Sequence, residues 1–106
     1  MNNKIKFKSY YILIMVYQIK AYHRKQAKRL GVSIKPSTNS KKKLDVFKGD
    51  KKVATIGATG YKDFKLHEKD KGIVHAKERQ RLYKIRHGKT LKIVGSPSYF
   101  AANILW

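Results

Sequence analysis

Asp63, His67, Asp70, Glu78 and His87, with His75 as an extra, are the side chains through which this 106-residue chain could do coordination or acid–base chemistry. Asp63 and His67 are four residues apart and share a face if that stretch is helical, a spacing a metal site can use. Carboxylate and imidazole around a divalent ion, on a basic surface that holds a phosphodiester, would make a metal-dependent nuclease. The same residues support a plainer expectation. A small domain with little apolar material fixes its turns with buried Asp and His hydrogen bonds, and Arg79 or Arg86 is available as partner for Asp63 or Asp70. We therefore expect Asp63, His67, Asp70 and His87 to form a structural polar network, with no catalytic residue, no bound metal and no cofactor. Ser96 or Ser98 completes a Ser-His-Asp set on paper only. Cysteine is absent, which removes disulfides, thiolate zinc sites and Cys nucleophiles. No glycine-rich stretch matches a phosphate-cradling loop.

Charge points more firmly to a partner. Twenty-six Lys and Arg stand against six Asp and Glu, for a formal net charge of +20 and a pI near 10.3. The first acid is Asp45, so residues 1–44 hold twelve bases and none of the acids. A compact domain carries such self-repulsion only where a polyanion cancels it, so nucleic acid, or another anionic surface such as acidic capsid proteins, is the expected partner, with no small-molecule substrate. Lys outnumbers Arg by 21 to 5, which favours diffuse phosphate attraction over bidentate reading of bases. Binding should be independent of sequence and sensitive to salt.

These charges need elements to carry them. Hydrophobic residues make up 42% of the chain and there are seven Tyr, four Phe and one Trp, too many for a disordered basic tail. The apolar run Tyr10 to Tyr17 is too short to cross a bilayer. It lacks a signal-peptide cleavage site and reads as helix or strand; either Met1 or Met15 suits the start, and secretion is not expected. A helix is predicted from about Val16 to Leu30, stopped by Gly31, with Lys20, Arg24 and Lys28 in one row and Lys25 and Arg29 beside them. Residues 35–43 read as a polar linker. Lys43 to Phe47 and Lys52 to Ile56 read as a hairpin around a Gly49-Asp50 turn, with Val46 opposite Val53 and Leu44 opposite Thr55. Gly57 and Gly60 bracket an exit turn before Tyr61 to Phe64. A second helix from Ile73 or Val74 to His87 puts Lys77, Arg81 and Lys84 on one face and Arg79, Tyr83 and Arg86 on another, with Leu82 and Ile85 inward. After a basic loop, Ser96-Pro97 opens a terminal helix to Leu105 whose Tyr99, Phe100, Ile104 and Trp106 plug the core or anchor a partner. The expected fold is a single small α+β domain in which a β-hairpin is packed by two or three short helices. Residues 1–42 form a basic arm or helix with linker, and 43–106 the compact module.

From Gly57 onward the chain reads Gly57-x-x-Gly60-Tyr61-x-Asp63-Phe64-x-x-His67-x-x-Asp70, then Arg79, Tyr83-x-x-Arg86-His87, Gly95-Ser96 and Ile104-Leu105-Trp106. This pattern resembles a family of small, very basic, uncharacterised proteins of large nucleocytoplasmic DNA viruses. Many members carry Tyr where Phe64 stands, and residues 1–42 lie outside the resemblance. It implies a viral origin and a compact hairpin-plus-helix module, and supplies no activity.

The function these features imply is non-enzymatic, sequence-independent nucleic-acid binding, DNA before RNA. The protein would act as a packaging or condensing component of a virion or in an infected host cell, whether in the cytoplasm, the viral factory or the nucleus. The expected contacts are Lys20, Arg24, Lys25, Lys28, Arg29, Lys77, Arg79, Arg81, Lys84 and Arg86, with Tyr83 and Tyr22 stacking on bases or sugars. The alternatives are a minor capsid protein docked on larger capsid proteins and, from a different class, the metal-dependent nuclease.

Overall fold

The computed structural model describes residues 17–106. Along the chain run α1 (Ala21–Arg29), β1 (Ser33–Pro36), β2 (Lys42–Lys48), β3 (Lys51–Ala58), α2 (Phe64–Lys71), α3 (Ile73–His87), a 3₁₀ segment (Gly88–Lys92) and α4 (Pro97–Ile104). The strands form one antiparallel sheet in the order β1-β2-β3. The fold is α+β, a single small domain.

Helix α1 ends as expected. The Gly31 N–H bonds to Lys28 O and the Val32 N–H to Ala27 O, the paired Schellman bonds that satisfy the last carbonyls of a helix. Its start differs: Lys20 is extended and caps a helix beginning at Ala21, while Val16 and most of the Tyr10 to Tyr17 run lie outside the described residues. Tyr17 is held back by hydrogen bonds to His23 and Asp63, which keeps the entering segment out of the helix.

The linker expected over 35–43 is structured at both ends. Ile34 pairs with Val46 and Pro36 with Leu44, so β1 adds an edge strand, and Pro is tolerated there because an edge need not donate outward. Between β1 and β2, Ser37 N–H bonds back to Lys43 O.

The hairpin forms around Gly49-Asp50, with Lys48 opposite Lys51 and positive φ only at Gly49, the pattern of a II′ turn. Beyond Phe47–Lys52 the register slips by one residue. Val46 faces Ala54 and Leu44 faces Ile56, not Val53 and Thr55, because a bulge leaves Val53 unpaired. The slip collects Ile34, Leu44, Val46, Ala54 and Ile56 on one buried face, and brings Thr55 opposite Asp45, to which its hydroxyl donates at 3.1 Å.

The expected exit turn forms, with the Tyr61 N–H bonded to Ala58 O, and leads into helix α2, which was not expected. Asp63 is its N-cap, accepting the Leu66 N–H at 3.2 Å. Gly72, at φ +90, is the single residue joining α2 to α3, a backbone angle L side chains avoid. Helix α3 runs to His87 and stops at Gly88 as expected, but its inward residues are Ala76 and Tyr83. Leu82 and Ile85 are exposed instead, because α2 and Trp106 pack against the other side of the helix. Helix α4 packs on β3 and α1, capped by Ser96 Oγ accepting the Tyr99 N–H at 3.2 Å. Phe100, Ile104, Leu105 and Trp106 are all buried, so the end of the chain is core. Each such side chain contributes about 1.5–3 kcal/mol when fully buried.

Candidate nucleic-acid interface

Helix α1 sorts its residues by face. His23 and Ala27 are buried, and Arg24, Lys25, Lys28 and Arg29 are exposed. His23 is held neutral by its position, accepting the Lys20 N–H at Nδ1 (2.9 Å) and facing the Tyr17 hydroxyl with Nε2 at 3.2 Å. Tyr17 donates in turn to Asp63, which assigns the His23 proton to Nε2. Burial pushes the His23 pKa down, opposed by the nearby Asp63 charge.

Ion pairs consume the acids elsewhere. Lys43–Asp63 is 3.0 Å, Lys52–Asp45 3.1 Å, Lys62–Asp70 2.7 Å, Lys65–Glu68 3.1 Å and Arg81–Glu78 2.6 Å. Five of the six acids are thus engaged, and among the described residues none pairs with a cation of α1. Lys20, at the cap, is exposed alongside them.

On α3, Lys77, Arg81 and Lys84 are exposed, although Arg81 is held by Glu78 through two hydrogen bonds of 2.6 and 3.1 Å. Arg79, Tyr83 and Arg86 do share the other face, and there they line a cleft of about 690 Å³ with His67, His87 and Trp106. Tyr83 is not free to stack on a base. It is buried and lies parallel to Trp106, centroids 4.5 Å apart and planes 13° apart. Tyr22 is half-buried, with Lys65 Nζ 4.9 Å above its ring, and its hydroxyl reaches Trp106 O. A continuous series of rings runs from His75 into the cleft wall: His75 to His67 at 5.2 Å, His67 to Trp106 at 5.7 Å, Trp106 to Tyr83, and Tyr83 to His87 at 4.1 Å.

The polar residues expected to form one network separate. Asp63 is buried and bound by Lys43, Tyr17 and the Leu66 N–H, not by an arginine. Asp70 is at the surface with Lys62. His67 and His87 belong to the ring series. Asp63, His67 and His87 line the same cleft, yet among the described residues no three His, Asp or Glu side chains are grouped to hold a metal ion. Also among the described residues, no helix is long and apolar enough to cross a membrane.

Lys43 is the residue the sequence concealed. It is buried inside β2, its ammonium bound by Asp63 and by Tyr61 O. Its position between Lys42 and Leu44 gave only a strand alternation, which cannot tell a solvent face from a second covered one. No protein-family model, no curated protein and no solved structure matches the chain.

Proposed function

We propose that this is a small, non-enzymatic viral protein that binds nucleic acid, DNA before RNA, without sequence preference. In that role it packages or condenses nucleic acid in a virion or in the infected cell. One observation carries the reading: α1 exposes Arg24, Lys25, Lys28 and Arg29 with no acid paired to any of them among the described residues. A row of cations with no internal partner suits a phosphate backbone, where each neutralised phosphate releases a condensed counterion. Lys77 and Lys84 on α3 extend the charged surface. The test is retention of a random-sequence labelled duplex across a salt series. A linear fall of log affinity with log salt, with a slope of several phosphates, supports the reading; negligible binding at low salt overturns it.

A second reading, a minor capsid protein docked on larger acidic capsid proteins, draws support from Leu82 and Ile85 on α3 and from Ile93 and Val94 after it, all exposed. Under that reading binding to the partner is held by apolar contact and survives salt.

A further inference from the structure

The cleft walled by α3, the 57–63 segment and Ala101, Leu105 and Trp106 differs from the open cationic faces. Arg79, Arg86, His67 and His87 line it, with Lys62 at its edge and Trp106 in its wall. Its one acidic side chain, Asp63, is already bound by Lys43, Tyr17 and the Leu66 N–H, and among the described residues it forms no ion pair with either arginine of the cleft. Lys62 is tied to Asp70 at its edge. Two buried atoms of this set, Arg79 Nε and His67 Nδ1, have no hydrogen-bond partner among the described residues. Buried polar atoms left this way lose their hydration with nothing in exchange and call for a partner. The field has the same sign: burial, then the charges of Arg79, His75 and Lys62, push the His67 pKa down against a smaller opposite pull from Asp63.

We propose that this cleft is a pocket for a phosphate group, held by the Arg79 and Arg86 guanidiniums and by His67. A phosphate suits the set because its charged oxygens accept hydrogen bonds, and the forked guanidinium matches two of them at once. Helix α1 is not part of the pocket, and Lys43, Gly57 and Ala58 form its sheet side. The proposal rests on the nucleic-acid reading only for the origin of the phosphate, since a strand end, a backbone phosphodiester and a free nucleotide all present the same chemistry.

Trp106 is the single tryptophan of the chain and lies in the cleft wall, so its fluorescence reports occupancy. Inorganic phosphate titrated at constant ionic strength is expected to give a saturable change, and Lys51→Gln, at the hairpin tip, to leave it as in the wild type. Arg86→Gln removes an exposed side chain without disturbing the core, and is expected to weaken binding about tenfold or more, as is Arg79→Gln. Absence of a saturable change, or an Arg86→Gln protein that titrates like the wild type, overturns the proposal. Displacement of phosphate by a 5′-phosphorylated oligonucleotide but not its 5′-hydroxyl twin assigns the pocket to strand ends. Equal displacement by both assigns it to the backbone, and displacement by a nucleoside monophosphate alone assigns it to free nucleotides. Duplex retention with a silent Trp106 removes the pocket and keeps the nucleic-acid reading. Saturable phosphate binding without duplex retention does the reverse.

Discussion

At the scale of single residues, Gly57 and the buried Lys43–Asp63 pair concentrate the strain and the charge of the fold. Gly57 sits in β3 at φ +77, and a Cβ there would lie 2.7 Å from Leu105 Cδ1 and 2.9 Å from Lys43 Cδ. Gly57→Ala should therefore destabilise the protein by at least about 1–3 kcal/mol from the backbone angle alone, read as a lower denaturant midpoint with unchanged slope. Asp63→Asn leaves the Lys43 ammonium without its counter-charge where its side chain is 5% exposed. A loss of about 3–5 kcal/mol is expected, with the Lys43→Met, Asp63→Leu double variant recovering much of it. Asp45 supplies the pH dependence. Burial raises its pKa, but hydrogen bonds from Ser37, Lys52, the Thr38 N–H and Thr55 outweigh that and bring it down from 3.8 to about 2. A carboxylate lowered in the folded state stabilises it above the unfolded value, and that stabilisation is lost as pH falls from about 4 toward 2. It amounts to about 2 kcal/mol, and Asp45→Asn should flatten the acid limb of a stability-against-pH curve. Gly57 and the buried Asp63 were legible in the sequence, the first as a glycine in an exit turn and the second as a turn-fixing acid, but the burial of Lys43 and Asp45 was not. Lys43 and Asp45 alternate with Leu44 and Val46 as solvent-facing strand residues do, and only the Ser37–Thr38 turn and the Tyr61–Asp63 segment, folded over them, make that face an interior.

At the scale of elements, α1 is the part whose contribution can be removed as a unit. Replacing Arg24, Lys25, Lys28 and Arg29 together by Gln keeps good helix formers and leaves His23 and Ala27 in place. The salt slope for duplex binding should then fall by about 0.9 for each phosphate that α1 no longer neutralises, with little change in melting temperature. An unchanged slope would place the interface elsewhere. The sequence revealed α1 and α3 through their stops, Gly31 and Gly88, because a left-handed residue after a periodic run is a local signal. It revealed the hairpin through its turn. It missed β1, which buries only Ile34, and α2, which buries only Phe64. Both are elements whose stability comes from neighbours and not from their own patterning. The inward face of α3 was misread for a related reason. Leu82 and Ile85 are the more apolar residues, but the core on that side is built of rings, and Tyr83 fits Trp106 where an aliphatic chain does not.

At the scale of the whole molecule, the terminal residues bind the parts together: the Trp106 carbonyl takes hydrogen bonds from Tyr22 of α1 and Gln80 of α3, and Phe64 N–H bonds to Leu105 O. Trp106→Ala should cost about 3–5 kcal/mol and broaden thermal unfolding, since it empties the ring contact shared by His67 of α2 and Tyr83 of α3. The ion pairs within the chain have a further consequence. With five acids each tied to a base of the same chain, nearly all remaining charge has one sign, and under the proposed function the molecule would meet a polyanion as a multivalent counterion. A charge of +20 matches about 20 phosphates, or roughly 34 Å of duplex. Mixed with DNA, it should give turbidity that peaks near that ratio and clears again when protein is in excess, because beyond neutrality each added copy restores repulsion between the particles.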